Sequence, residues 1–152
     1  MQISVLAVGR QKAGPEKILF DTYAKRITWP FEIIEVMEHR KLSSSELKQR
    51  EGALLLAKIP DGAVVIVLDE RGKELDSRGL AGKIEGWRDN GLRHIVFIIG
   101  GADGIDEPLK KRANLIISLG RMTWPHMLVR ALIAEQVYRA QCILSGHPYH
   151  RD

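Results

Sequence analysis

The 152-residue sequence contains a single cysteine, Cys142, so no disulfide can form within the chain. No apolar run is long enough to span a bilayer. The first strand-like segment, residues 3–8, also lacks the basic start and cleavage region of a signal peptide. These absences predict a protein of the reducing cytoplasm, with Cys142 as a small packing residue and no membrane partner.

Several motifs for common chemistries are also missing. The first strand is followed by Gly9-Arg10-Gln11-Lys12, not by the glycine pattern of a dinucleotide site, and no phosphate-binding P-loop occurs. No G-x-S-x-G turn is present to carry a hydrolase nucleophile. His147 and His150 have a spacing that occurs in metal sites, but no second Cys or His pair completes a zinc set. The sequence therefore predicts no metal.

Length and composition indicate one globular domain covering residues 1–152. The chain is 45% hydrophobic and 28% charged, as is common in soluble proteins. Its net charge of +4 and pI near 9.3 are compatible with a polyanionic partner, because Lys and Arg neutralise phosphates.

Short β-rich runs alternate with helical patterns along the whole chain. The predicted strands are Ile3–Val8, Glu32–Val36, Ala63–Leu68, His94–Ile99 and Leu115–Leu119. Helices are predicted from Pro15, from the serine-rich start at residues 43–46, over Ser77–Asp89, and in the last quarter of the chain. Because parallel strands need helical crossovers, this alternation predicts an α/β fold: a mostly parallel sheet with helices on both faces.

Three glycine-containing or charged loops follow the last three strands. They are Leu68–Lys73, Gly100–Gly104 and Gly120–Pro125. Ligands bind such sheets at the carboxyl ends of the strands, so we expect the three loops to open on one edge and form a site. Taken singly, each loop could merely end a strand.

The whole chain carries a more specific pattern, in the following order. Its elements are Val8-Gly9-Arg10, Leu68-Asp69-Glu70-Arg71-Gly72-Lys73, Ile99-Gly100-Gly101-Ala102-Asp103-Gly104, Met122-Thr123-Trp124-Pro125-His126, Leu128-Val129-Arg130, Ala134-Glu135-Gln136-Val137-Tyr138-Arg139-Ala140 and His147-Pro148-Tyr149-His150-Arg151. In this order the chain resembles the ribosomal RNA large-subunit methyltransferase H family, a branch of the SPOUT methyltransferases.

The resemblance implies a C-terminal trefoil knot, a homodimer, S-adenosylmethionine as the methyl donor, and methylation at N3 of a pseudouridine in 23S ribosomal RNA of the assembled ribosome. It also implies a set of cofactor-binding positions: Leu68, Gly100, Leu119, Gly120, Arg121, Met122, Thr123 and Trp124. Relatives tend to have Ser at position 120 and Leu or Phe at position 124, so donor affinity is expected to differ from that of the family.

The predicted catalytic residues lie in the tail, residues 147–152. His150 is a candidate general base, because an imidazole titrates near the working pH. Arg151 is expected to stabilise the developing anion, and Tyr149 to stack on the extruded base. Positioning and positive potential alone could instead activate the nitrogen. His147 is expected to support the turn at Pro148.

The last helix is expected to form much of the dimer interface through Leu128, Leu132, Ile133 and Val137. Glu135 and Arg139 are spaced for an ion pair on one helix face.

Arg10, Lys12 and Arg130 are the predicted RNA contacts, whereas the basic run at residues 110–112 is expected to be a solvated face. Two alternatives to the methyltransferase stay open at this point. One is a non-catalytic ribosome-binding or assembly factor on the same fold, and the other is an adenine-nucleotide enzyme on a related scaffold.

Overall fold

A computed structural model describes residues 1–152 as five strands and five helices. The strands are β1 (Gln2–Val8), β2 (Phe31–Val36), β3 (Val64–Glu74), β4 (His94–Ile99) and β5 (Leu115–Ser118). The helices are α1 (Pro15–Arg26), α2 (Ser44–Ala57), α3 (Ser77–Asp89), α4 (Glu107–Arg112) and α5 (His126–Ser145). No helix combines the length and apolar composition needed to cross a membrane.

The five strands form one parallel sheet in the order β2-β1-β4-β3-β5. The predicted α/β class is therefore confirmed. The apolar side chains alternate between two cores. One core packs the sheet against α3 and α5 through residues such as Ile84 and Val137, and the other packs it against α2 and α4 through Leu55 and Leu109. Helices thus cover both faces, and the carboxyl ends of the strands share one edge.

Two helix boundaries show how local sequence fixes the elements. Ser43 caps α2, where its hydroxyl accepts a hydrogen bond from the Glu46 amide at 3.2 Å and donates one to the Glu46 carboxylate at 2.8 Å. Residues Ser77–Asp89 form α3 as predicted, and the side chain of Asp76 caps it by accepting from the Gly79 amide.

Strand β3 is longer than the predicted Ala63–Leu68, because residues up to Glu74 return to the sheet. Both Leu68 and Lys73 pair with Ile117 of β5, so the four residues between them loop out. A Cβ on Gly72 would lie 2.5–2.8 Å from backbone atoms of Ile117. Only glycine fits this crossing, which is consistent with the knotted segment that the resemblance implies.

Candidate functional site

A cavity of about 510 Å³ opens at the carboxyl ends of β3, β4 and β5. All three loops singled out in the sequence contribute to its wall. Its volume lies in the range of about 300–1,000 Å³ that is typical of small-molecule sites. The topology of the parallel sheet explains the position, because the loops that follow neighbouring strands meet at the same edge.

Two glycines shape the cavity wall in different ways. A Cβ on Gly100 would come within 2.4 Å of the Ile105 side chain and 3.2 Å of the Gly104 carbonyl oxygen, so the chain turns back closely here. Gly120 has φ of 110°, a conformation that other residues rarely adopt. Residue 120, which lines the cavity, is therefore held in a conformation that favours glycine.

The loop after β5 is held by its own hydrogen bonds. The Ser118 hydroxyl donates to the Gly120 carbonyl at 2.8 Å and accepts from the Gly120 amide at 3.1 Å. The Trp124 indole N–H donates to the Leu119 carbonyl at 3.2 Å. This last contact fixes the indole plane, which is 41% exposed, as a wall of the cavity.

Seven of the eight predicted cofactor positions line the cavity. They are Leu68, Gly100, Leu119, Gly120, Met122, Thr123 and Trp124. The eighth, Arg121, is exposed and does not line the cavity. The structure thus brings the predicted positions together, and their role in holding a cofactor stays a prediction.

Charged residues also line the cavity: most lie in the loops predicted from the sequence, Lys110 was instead expected on a solvated face, and Lys48 was not predicted. The acidic members are Asp69, Glu70 and Asp103, and the basic members are Lys48, Arg71 and Lys110. Lys110 approaches the Asp69 carboxylate at 3.6 Å. The mixed charges suit a ligand that carries both signs. The loop composition signals residues 69–71, whereas Lys48 comes from α2 and no local pattern points to it.

His126 begins α5 and faces the same cavity. Burial lowers the pKa of His126, and hydrogen bonds to the backbone of Gly101 and Gly100 offset part of that effect. The imidazole is therefore neutral near pH 7 and adds no charge to the wall. No side chain caps this end of α5.

A buried carboxyl group supports the Gly100–Gly104 loop from behind. Glu51 on α2 is 8% exposed, and its Oε1 has no hydrogen-bond partner. Burial and the nearby Asp103 raise the pKa of Glu51. A Cβ on Gly101 would meet the Glu51 carboxylate oxygens at 2.6 and 2.9 Å. Helix α2 therefore sets the position of this wall.

A second cavity, of about 490 Å³, lies on the other side of the Leu119–Gly120 segment and shares Trp124 with the first. Ser77 donates a hydrogen bond to Gln136 at 2.8 Å in its wall. Gln136 in turn donates to the Glu135 carboxylate at 3.0 Å. The wall of this cavity is thereby connected to α5, where the tail binds.

The tail docks on α5 and α3 of the same chain, away from the first cavity. Tyr149 donates a hydrogen bond to Glu135 at 2.9 Å, and its ring lies 4.7 Å from that of Tyr138. Burial and the bond to Glu135 raise the pKa of Tyr149, so it stays a neutral phenol. His150 contacts Arg139, and Arg151 is exposed. None of the three predicted catalytic residues lines the cavity.

The ion pair predicted between Glu135 and Arg139 is present. The Arg139 Nε and Nη2 atoms donate to the Glu135 Oε1 atom at 3.0 and 2.5 Å. The same oxygen accepts from Tyr149, so the pair also anchors the tail.

Arg130 corrects one sequence prediction. Its side chain is fully buried, so it cannot serve as the predicted RNA contact in this conformation. Its Nη2 donates to the carbonyls of Val8 and Gly9 at 3.0 and 2.8 Å, and its Nη1 pairs with Glu35. Burial alone would raise the pKa of Glu35, but hydrogen bonds from Arg130 and the Gln11 amide outweigh it, and the pKa is lowered. Arg130 is a structural residue that joins α5 to the ends of β1 and β2.

Arg10 and Lys12, the other predicted RNA contacts, are exposed. They follow β1, so they lie at the same edge of the sheet as the cavity. The Arg130 contacts to Val8 and Gly9 hold the start of this loop, which makes Arg130 an indirect support for Arg10.

The chain is similar to known proteins along its whole length. A family model described as predicted SPOUT methyltransferase matches residues 1–150. Ribosomal RNA large subunit methyltransferase H of Paramagnetospirillum magneticum is 52% identical over 151 residues, covering 99% of each chain. The protein of the same name from Rhodospirillum rubrum is 53% identical over 152 residues, covering 100% of each chain. The solved SpoU methyltransferase AviRb of Streptomyces viridochromogenes, in complex with AdoMet, is 12% identical, with a TM-score of 0.47 over 92% of this chain and 58% of that one.

Proposed function

This chain belongs to the SPOUT methyltransferase family, and we propose that it transfers a methyl group from S-adenosylmethionine to large-subunit ribosomal RNA. The observation that carries the proposal is the cavity built by the loops after β3, β4 and β5. Curated relatives about half identical over nearly the whole chain are named for this activity.

The cavity fits the donor in both size and chemistry. Apolar side chains such as Leu68, Leu119 and Trp124 can enclose a flat adenine, and main-chain groups of the Leu119–Trp124 segment can hydrogen-bond its edge. The charged rim, including Asp69 and Lys110, can receive a zwitterionic amino-acid end. When bound, the donor supplies an electrophilic methyl carbon on a positively charged sulfur.

The finer proposal is that the acceptor is N3 of a pseudouridine in 23S ribosomal RNA. This imide nitrogen is mostly protonated near neutral pH, so its proton must be removed before its lone pair can bond the methyl carbon. His150 is proposed to take that proton. Arg151 is proposed to stabilise the charge that develops on the base, and Tyr149 to stack on it.

The position of the tail supports a homodimer with shared sites. Within one chain the tail binds α5 and α3 and does not line the cavity, so the partner subunit's tail is proposed to complete it. Ile133 and Val137, which the sequence analysis assigned to the interface, are buried in the core of their own chain. The exposed apolar Ile18 and Leu19 of α1, which packs on α5, are better candidates for partner contacts.

The substrate is proposed to be the assembled ribosome in the cytoplasm. A chain of 152 residues with a net charge of +4 has the positive potential to approach RNA. The exposed Arg10 and Lys12 lie at the same edge of the sheet as the cavity and are proposed to bind phosphates. A preassembled ribosomal surface would then supply the specificity that so small a chain lacks.

The decisive experiment is transfer of labelled methyl from S-adenosylmethionine to ribosomes lacking the modification, with free RNA in parallel. Labelled N3-methylpseudouridine, identified by mass spectrometry on ribosomes only, is the expected result. Label at another nucleoside would move the acceptor, and donor binding without any transfer would favour a non-catalytic binding factor.

Donor binding is tested separately by calorimetric titration with S-adenosylmethionine and with ATP. Met122→Ala should weaken binding of the donor, because Met122 lines the cavity. Met37→Ala is the matched control, since Met37 is also exposed but lies outside the cavity. Equal affinity in the two variants would remove Met122 from the donor site, and tighter binding of ATP would indicate a nucleotide-dependent enzyme.

A further inference from the structure

The tail is connected to α3 by a chain of polar contacts that passes through His150. The Asp152 carboxylate accepts from the Arg78 Nε and Nη2 atoms at 2.7 and 3.0 Å. Its Oδ1 also lies 3.3 Å from Nε2 of His150. On the other side of the ring, Nη1 of Arg139 lies 3.1 Å from Nδ1. Both ring nitrogens of His150 are therefore occupied by charged neighbours.

These contacts assign the proton on the imidazole. A guanidinium has only donors, so Nδ1 must accept from Arg139 and carries no proton. The neutral ring then has its proton on Nε2, where the Asp152 carboxylate can accept it. The two charged groups that contact the ring are themselves paired: Asp152 with Arg78 of α3, and Arg139 with Glu135 of α5.

The Asp152 carboxylate is held in its ionised form. The hydrogen bonds from Arg78 are the main cause that keeps the pKa of Asp152 below its ordinary value. Arg78 lies in the first turns of α3, and the neighbouring Leu80 and Ala81 are buried in the core. The side chain of Asp152 is 74% exposed, but its two hydrogen bonds to Arg78 attach it to a helix that packs in the core.

We infer that Asp152 and Arg78 are positioning residues for His150: the carboxylate keeps the ring proton on Nε2 and presents Nδ1 as the proton acceptor. A carboxylate on one imidazole nitrogen orients the other nitrogen as a base in the same way in hydrolase triads. The inference rests on the proposed role of His150 in the methyl transfer.

The proton inventory of the step is balanced. The N3–H bond of the acceptor base breaks, its proton bonds to Nδ1, and the electron pair left on N3 forms the bond to the methyl carbon. The bond from that carbon to the donor sulfur breaks at the same time, and its electron pair stays on the sulfur, which leaves as a neutral thioether. The resulting imidazolium then faces the Asp152 carboxylate. Nη1 of Arg139 must move off Nδ1 first, and the charge of Arg139 then stays paired with Glu135, which accepts from its Nε and Nη2 atoms.

The test compares Asp152→Asn, Arg78→Gln and Arg78→Lys with Arg88→Gln. Arg88 is an exposed arginine of the same helix, and its side chain makes no hydrogen bond, so it is the matched control. Asp152→Asn should lower kcat of methyl transfer by about tenfold, less than the 10²–10⁴-fold contribution of a general base. The KM for the donor should stay unchanged. Arg78→Gln should cause a smaller fall, and Arg78→Lys should recover part of it.

A spectroscopic readout separates this inference from the proposed function. Nitrogen-15 spectra of the histidine rings should show His150 protonated only at Nε2 in the wild-type protein, with the exposed His39 as internal reference. Asp152→Asn and Arg78→Gln should change the His150 signals towards those of His39. Protonation at Nδ1 in the wild type, or spectra unaffected by both variants, would overturn the inference.

His150→Gln distinguishes the two failures. If this variant loses activity while Asp152→Asn keeps the wild-type kcat, the positioning role is wrong and the base assignment stands. If His150→Gln keeps full activity, the base assignment fails and the positioning role for the reaction fails with it. The ring spectra need no substrate, so they decide the Asp152–His150 arrangement even where no methyl transfer is detected.

Discussion

Replacing Gly52 of α2 with alanine should destabilise the protein, although alanine is the better helix former. A Cβ at this position would lie 2.4 Å from three atoms of the Asp106 carboxyl group. Asp106 cannot move freely, because it is 8% exposed and caps α4 by accepting from the Leu109 amide at 3.3 Å. The added methyl group must therefore displace α2 or break the cap.

The magnitude follows from three opposing effects. Overpacking a fitted site costs about 1–3 kcal/mol of unfolding free energy. Loss of an N-cap costs about 1 kcal/mol. The change from glycine to alanine inside a helix returns about 1 kcal/mol. We expect a net loss of about 1–3 kcal/mol, because the added methyl group overlaps a buried carboxyl group that cannot move away without losing its hydrogen bond to the Leu109 amide.

Urea unfolding of Gly52→Ala and Gly82→Ala measures this difference. Gly82 also lies inside a helix, α3, but a Cβ there would meet nothing within 4 Å. The control should therefore gain about 0.5–1 kcal/mol. A Gly52→Ala midpoint equal to or above that of the wild type would refute the close packing of α2 against the Gly100–Asp106 loop.

Four further predictions concern other parts of the molecule. Arg130→Met should reduce the unfolding free energy, as measured by urea unfolding. The loss should lie near the lower end of the about 3–5 kcal/mol expected for breaking a buried pair, because Glu35 is partly exposed and can be hydrated. Since the pKa of Glu35 is lowered on folding, its contribution is present above about pH 4.3 and is lost as pH falls through the folded value, so acid should weaken the wild type more than Arg130→Met. If the proposed homodimer forms through the exposed face of α1, Ile18→Glu should shift the mass measured by light scattering from that of a dimer to that of a monomer. A mass that this substitution leaves at the dimer value would exclude this face. Trp124→Ala should weaken donor binding by about 1–3 kcal/mol in calorimetry if the indole stacks on adenine, whereas unchanged affinity would show that it does not.

Much of the fold could be predicted because its signals are local. The apolar run of β4 and the Asn90-Gly91 stop after α3 fix their elements within a few residues. The end of β3 could not be predicted in this way. Residues 69–74 are polar and read as a loop, and only the tertiary pairing of Lys73 with Ile117 returns them to the sheet.

The candidate site also combines features that local sequence predicts with features that depend on distant residues. Glycine-containing and charged loops after strands predicted the cavity wall, because the parallel topology brings them to one edge. The burial of Arg130, a predicted RNA contact, has no local signal, because its partners Val8 and Glu35 are 122 and 95 positions away in the sequence. Lys48 at the cavity and the tail on α3 likewise meet residues that are far away in the sequence, so no local pattern predicts these contacts.

The crossing of β3 and β5 has a consequence for the kinetics of folding. Ile117 can pair with both Leu68 and Lys73 only when residues 69–72 have already left the plane of the sheet. The same edge joins Val65 to Asn114, which are 49 positions apart, so a long loop must close before these contacts stabilise it. We therefore expect the β5 edge, and with it the cavity, to form in the slowest phase of refolding. Donor binding during refolding would then appear after most of the helical signal has returned.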